Sequence, residues 1–249
     1  MNKTTVFCQI SDSHFSKGST SEIRLKNVID DINKKDVHHV IFSGDLVLEP
    51  TTQNYAELYH FLDTHLNNDI NVYSIPGNHD DVELLKQTAP HSRFSSPEYI
   101  DITEHTRIHL IDSSKRFEGT VLGSGYVPQS ALSQLRKRIK HTHKLNSVFA
   151  IHHPPVTFGA DWFQKICLTN GDNFIKTVQT NKQNSHIIFG HSHVYFQIKK
   201  DDIEYISCPS SWVGFNHQNH TKTEKTDDFG YLVYFENEHN EIEHEVIML

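Results

Sequence analysis

Six short apolar runs, at residues 6–10, 40–42, 72–75, 108–111, 148–151 and 187–189, each stop abruptly at Gly, Ser, Asp, His or Pro. Runs this short, bounded by turn-forming residues, read as buried strands. Helical stripes lie between several of them: Tyr55, Leu58, Tyr59, Leu62 and Leu66 recur at helical spacing, and Leu132, Leu135 and Ile139 do the same. Strand alternating with helix predicts βαβ units on a largely parallel sheet, an α/β class of fold. After Gly190 the pattern changes to strand-like segments at 195–199, 203–207, 231–235 and 242–248, with no helix between them. A second, more antiparallel sheet packed on the first would account for the change and give a sandwich flanked by helices. The polar stretch 216–228 reads as a long loop. With no internal repeat or linker, the 249 residues are expected to form one domain, 1–249.

Five polar clusters sit at the C-terminal ends of these strands, where open α/β sheets place their ligands. They are Asp12-Ser-His14, Gly44-Asp45, Gly77-Asn78-His79-Asp80, His152-His153-Pro154-Pro155 and Gly190-His191-Ser192-His193. Each has an ordinary explanation by itself. Asp12 and Asp45 could cap helices or form turns, Asn78 after a glycine could be a turn residue, and 20 histidines in the chain make any single one weak evidence. His191 and His193 follow a glycine and are expected in a turn rather than side by side on a strand. Taken together, the clusters supply what two adjacent divalent cations need: a bridging carboxylate, further carboxylate and imidazole ligands, and polar groups for substrate. Asp, Asn and His in this mixture suit Mn, Fe or Zn better than the all-oxygen sphere of Ca²⁺ or Mg²⁺. No cysteine falls in any cluster, which argues against a structural zinc site.

Bulk properties narrow the partners. The formal charge of −8, from 31 acids against 23 bases, leaves no basic footprint for gripping nucleic acid. The first apolar run ends at Ser11 and Asp12, too short for a secretory core or a membrane span, so a cytoplasmic protein with no membrane partner is expected. Cys8, Cys167 and Cys208 are scattered and odd in number, and read as buried reduced thiols.

Asp-x-His, Gly-Asp, Gly-Asn-His-Asp, His-x-Pro and Gly-His-x-His, in this order over residues 12 to 193, resemble the calcineurin-like metallophosphoesterase superfamily. The whole chain is similar to the bacterial class III 3′,5′-cyclic AMP phosphodiesterases, through Ile10-Ser-Asp-Ser-His14, Asp161-Trp162, Leu168-Thr-Asn170 and Cys208-Pro-Ser-Ser211. The resemblance implies a four-layer α/β/β/α sandwich, two mixed β-sheets flanked by helices. It also implies two divalent or mixed-valence metal ions, Fe or Mn foremost and Zn as a third choice. One would be held by Asp12, His14, Asp45 and His193, the other by Asp45, Asn78, His152 and His191, with Asp45 bridging. His79 would be the catalytic residue that faces the phosphate and the leaving oxygen, while Asn78, His79 and His193 would touch substrate. His153 would support its neighbour rather than bind metal. The implied reaction is hydrolysis of cyclic AMP, or a related cyclic nucleotide, to the 5′-monophosphate by a metal-activated hydroxide. Glycerophosphodiesters, 2′,3′-cyclic nucleotides and nucleoside pyrophosphates are alternative small phosphate esters, and a metal-binding scaffold without activity is an alternative of another class. The chain departs from the protein-phosphatase branch, which carries a further Asp and Arg-Gly soon after Gly-Asp. Here Leu46-Val-Leu-Glu-Pro50 follows, so the acidic partner of His79 is open between Asp80 and Glu49.

Overall fold

The computed structural model describes residues 4–89, 93–217, 221 and 223–249. Its two large sheets each have six strands. The first runs, edge to edge, β14 (Ile242–Met248), β13 (Gly230–Glu236), β1 (Thr4–Ile10), β2 (His39–Ser43), β3 (Asn71–Ile75) and β4 (Phe94–Ser95). The second runs β5 (Tyr99–Asp101), β6 (Thr106–Ile111), β7 (Asn146–Ile151), β8 (Asn184–Phe189), β10 (Ile203–Ser207) and β9 (Phe196–Lys200). In both, four parallel strands are extended by antiparallel ones at the margins. Helices α1 (Thr20–Ile32), α2 (Thr52–His65) and α3 (Val82–Thr88) supply the apolar side chains packed on the first sheet. Helices α4 (Gln129–Lys140) and α6 (Gly171–Val178) do the same on the second, and α5 (Asp161–Gln164) is a single turn after β7. The architecture is the expected four-layer α/β/β/α sandwich.

Strand alternation builds the three apolar layers. Along β7, Val148 and Ala150 face the space between the sheets while Phe149 and Ile151 face α4 and α6. Both faces are covered, so the strand is buried end to end and its sequence shows a continuous apolar run instead of a period of two. Along β2, Ile41 points between the sheets and Val40 and Phe42 point to the helices. Each fully buried large apolar side chain contributes about 1.5–3 kcal/mol, so a one-residue slip that exchanged the two faces would cost far more than a single mutation. Buried Gln9 crosses from one sheet to the other: its Nε2 donates to Ser43 Oγ (2.9 Å) and to the Phe189 carbonyl (3.2 Å), and its Oε1 accepts from Tyr234 (2.8 Å). Every polar group of that amide that the sheets enclose has a partner, as burial demands.

Two expectations need correction. The strands after residue 190 do not make a sheet of their own. β9 and β10 extend the second sheet, while β13 and β14 return to the first beside β1. The division falls instead between β4 and β5, because β13 and β14 carry their own apolar face (Tyr231, Val233) onto the α1–α2 layer. The stretch 216–228 is also not all loop: β11 (Gly214–Asn216) pairs antiparallel with β12 (Glu224–Thr226). Part of it, 218–220 and 222, lies outside the described residues. Cys8, Cys167 and Cys208 are buried free thiols, as expected.

Candidate metal centre

The parallel strands of both sheets aim their C-terminal ends at one place, and the five clusters meet there. Asp12, His14 and Asp45 arrive from β1 and β2, Asn78 and His79 from the loop after β3, and His152, His191 and His193 from β7 and β8 of the other sheet. Five of the eight non-glycine residues with positive φ among those described are Asp12, His14, Asp45, His191 and His193. Asp and His tolerate the left-handed region better than most residues, yet each such backbone costs roughly 1–3 kcal/mol and persists only where tertiary contacts enforce it. The left-handed backbone at these positions breaks the strand direction just where the ligand-bearing loops begin. His191 and His193 therefore lie in a turn, as expected.

Two glycines make the convergence possible. Gly44 has φ +100°, and a Cβ there would sit 2.3 Å from His152 Nδ1; a Cβ on Gly77 would sit 2.1 Å from Asp45 Oδ1. No side chain fits either position without moving a cage residue.

Asp45 stands between two histidine groups. Its Oδ2 is 3.6 Å from His14 Nε2 and its Oδ1 is 3.5 Å from His152 Nε2. On the first side, His14 Nε2 and His193 Nε2 lie 3.3 Å apart, and His193 Nε2 is 3.4 Å from Asp12 Oδ1. On the second, His152 Nε2 is 3.2 Å from Asn78 Oδ1, and His191 belongs to the same group of facing ligand atoms. His152 Nδ1 donates to the Ser43 carbonyl (2.7 Å) and His193 Nδ1 to the Val213 carbonyl (2.9 Å), which fixes each ring with Nε2 turned into the cage, where a cation would displace any proton it carries. Asp12 Oδ2 accepts from Ser11 Oγ (2.5 Å) and His191 N (2.9 Å), leaving Oδ1 buried with no partner; His191 Nε2 is buried without a partner too. Orphaned buried acceptors are costly, and cations facing them would remove that cost. The residues thus fit a pair of cations.

The electrostatics follow from crowding. Burial opposes ionisation of Asp45, but His152 and His14 hold its carboxyl well below the usual range. Burial likewise works against charge on His152, and the Asp45 carboxylate overcomes it to lift the ring to about 9. Burial pushes His14 down to about 4 and, with the charge of His152, His191 down to about 3, so both rings are in the neutral form that binds metal.

His153 is no free ligand: its Nε2 donates to the Gly123 carbonyl (3.1 Å) and its Nδ1 accepts from Ser113 Oγ (2.8 Å). Asp80 is not the partner of His79. Its oxygens accept from Gly77 N (2.9 Å), Leu46 N (3.2 Å) and Tyr55 OH (3.0 Å), tying the Gly-Asp and Gly-Asn-His loops to α2. Glu49 is exposed, and no bond joins it to His79 among the described residues. His79 is exposed at the rim, its backbone N on Asp45 Oδ1 (2.9 Å) and its ring edge-on to His14 (centroids 4.9 Å, 85°).

Sequence reading passed over the groups that hold the cage. Ser210 Oγ donates to the Asp12 carbonyl (2.9 Å) and accepts from Trp212 N (2.9 Å) and Val213 N (3.2 Å), so the Cys-Pro-Ser-Ser segment orients both Asp12 and the carbonyl that fixes His193. Aromatic rings pack behind the ligands: Phe163 at 5.5 Å from His191, Phe215 stacked at 4.7 Å on His193, and Trp212 at 5.3 Å from His14. His217 donates to the Ser192 carbonyl (2.9 Å). Only the serines carried a sequence signal, through the Cys208-Pro-Ser-Ser211 resemblance.

Residues 5–195 match the model of the calcineurin-like phosphoesterase family. The chain belongs to that family. A "probable cyclic nucleotide phosphodiesterase" from Vesicomyosocius okutanii is 25% identical over 230 residues, 92% of this chain and 91% of that protein. The 3′,5′-cyclic adenosine monophosphate phosphodiesterase CpdA of Vibrio vulnificus is 23% identical over 232 residues, 89% of this chain and 79% of the other. A dimetal phosphatase from Danio rerio shares the fold, with a TM-score of 0.66 at 13% identity and coverage of 98% and 99%. A calcineurin-like phosphoesterase of this fold implies a dinuclear divalent metal site, and the chain is a metal-dependent phosphoester hydrolase. Among the described residues no helix is long and apolar enough to cross a membrane.

Proposed function

We propose that residues 1–249 act as one domain that hydrolyses a 3′,5′-cyclic nucleotide, cyclic AMP foremost, to the 5′-monophosphate. The observation that carries the dinuclear reading is Asp45, whose two oxygens face two separate sets of histidines at 3.6 and 3.5 Å. On this reading Asp12, His14, Asp45 and His193 hold one cation and Asp45, Asn78, His152 and His191 the other, with Mn or Fe preferred and Zn third by the mixed oxygen and imidazole donors. When bound, such a pair supplies Lewis acidity at the phosphoryl oxygens and makes water acidic enough to ionise near neutral pH.

The chain's own groups do the rest. Asp45 sets the spacing of the two halves, and the Ser43 and Val213 carbonyls keep His152 and His193 in their ligating tautomers. His79, exposed and within 4.8 Å of ligand atoms of His14 and Asp45, faces substrate and gives a proton to the departing 3′-oxygen or stabilises its charge. Asn78 and His193 border the same space.

Support for a cyclic nucleotide comes from the relatives above, which match over most of both chains. A substrate panel with saturating Mn²⁺ tests it: 3′,5′-cyclic AMP, 2′,3′-cyclic AMP, a glycerophosphodiester and a nucleoside pyrophosphate. The highest kcat/KM is expected on 3′,5′-cyclic AMP. A higher value on any of the others overturns the substrate while leaving the metal chemistry standing.

A further inference from the structure

Next to the cage, one aromatic side chain is exposed in a way that packing does not explain. Trp162, on α5, keeps 42% of its surface in solvent. Its indole Nε1 nevertheless donates to Thr223 Oγ1 (2.6 Å), beside β12, so the ring is pinned while its surface stays open. It is one side chain removed from the ligand-bearing turn. On one side Phe163, 5.8 Å from Trp162 between centroids, packs at 5.5 Å on His191. On the other His217, 6.1 Å from Trp162, donates to the Ser192 carbonyl. Among the described residues the exposed Tyr and Phe rings are engaged elsewhere: Tyr99 lies under Arg107 at 4.1 Å, and Phe117 packs on Tyr126 at 5.1 Å.

We infer that Trp162 is a specificity residue, a stacking platform that receives the nucleobase of a nucleotide whose phosphate sits at the cage. The inference rests on the cyclic-nucleotide reading and adds the group that would recognise the base. A planar ring held by a hydrogen bond loses little freedom on binding, which is what makes pinned aromatic residues efficient contact surfaces. Every nucleobase offers a π-face, so stacking favours nucleotides over base-free phosphates without choosing adenine over guanine. The phosphate end is served by the cage and is indifferent to Trp162. The two contributions are therefore separable.

The experiment is calorimetric titration of the Mn²⁺-loaded protein with 5′-AMP and with ribose 5-phosphate, which carries the same sugar phosphate and no base. Wild type is expected to prefer 5′-AMP, and Trp162→Ala to lose roughly 5- to 100-fold in affinity for 5′-AMP while its affinity for ribose 5-phosphate stays put. Trp162→Phe keeps a ring and should retain most of the preference. Thr223→Val removes only the pin and should cost less than Trp162→Ala. With Trp212→Phe in place, Trp162 is the one remaining tryptophan of the two in the chain, and 5′-AMP should quench its emission where ribose 5-phosphate does not. A wild-type preference that survives Trp162→Ala overturns the platform and leaves the nucleotide reading intact. Equal loss for both ligands in Trp162→Ala, or a Thr223→Val defect as large as that of Trp162→Ala, makes the residue a structural support and overturns the inference. No wild-type preference for 5′-AMP overturns the nucleotide reading, and the platform with it.

Discussion

Asp45 and His79 occupy adjacent places at the rim and floor of one cage but are asked to do different things, and substitution separates them. Asp45 lies between both histidine groups, whereas His14 serves one side. Asp45→Ala should therefore lose both cations and His14→Ala chiefly one, as read by metal analysis after gel filtration; equal metal content in the two variants would count against the bridge. His79 has no ligand role on the reading above, so His79→Ala should keep its metal and fold. Its kcat on cyclic AMP should fall by roughly 10²–10⁴-fold, the usual contribution of a positioned acid or base. A p-nitrophenyl ester departs as a weak base and needs little protonation, so the defect there should be much smaller. Equal defects on both substrates would point to charge stabilisation rather than proton donation.

The loops that leave the strands are as specialised as the side chains they carry. Asp80 gathers the backbone of Gly77 and Leu46 and the Tyr55 hydroxyl, so one carboxylate ties two loops to a helix. Burial and the charge of Asp45 push its carboxyl up to about 7, against the three hydrogen bonds that favour its ionised form. At this junction, Gly77→Ala would put a methyl 2.1 Å from Asp45 Oδ1. The clash falls on the Asp45 carboxylate and on its backbone N (2.5 Å), so the expected result is sharply reduced metal affinity, with a smaller loss of thermal stability passed to the core through Leu46 and Tyr55. Unchanged metal affinity would mean that the loop can shift at no cost.

At the scale of the molecule, stability and chemistry share the sandwich. Chelation should abolish turnover, and Mn²⁺ or Fe²⁺ should restore it better than Mg²⁺, because imidazole-rich ligands favour transition metals; full turnover with verified zero metal would contradict the mechanism. Acid sensitivity has a separate source in the outer layer. His109 is fully buried, neither ring nitrogen has a hydrogen-bond partner, and it stacks on Phe149 at 5.0 Å. Burial, together with Arg138 and Arg107, pushes it down to about 3 from an ordinary 6.5. The unfolded chain then binds a proton that the folded one refuses. The contribution of the neutral ring is present above pH 6.5 and is lost as pH falls from 6.5 toward about 3. His109→Leu should flatten the denaturant-measured stability profile in that window relative to wild type. Parallel profiles would show that His109 is not a source of the acid sensitivity.

Much of this was written in the chain order. The apolar runs located the inner strands, since a strand covered on both faces needs apolar residues at consecutive positions, and the ends of those strands marked Asp12, Asp45, Asn78, His152 and His191 as neighbours before any coordinates. Periodicity found α2 and α4. Short or polar elements such as β4, β5 and α5 carry too few residues for a period to register. What the sequence could not decide was which sheet the late strands join, because β13 is apolar enough for either; the edge of β1 takes β13, and β13 in turn takes β14. It could not show that Asp80 is consumed by loop backbone, that Ser210 steadies Asp12, or that Trp162 stands beside the cage with its ring open to solvent. Those relations join residues far apart in the chain, and they exist only once two sheets have brought their strand ends to the same place.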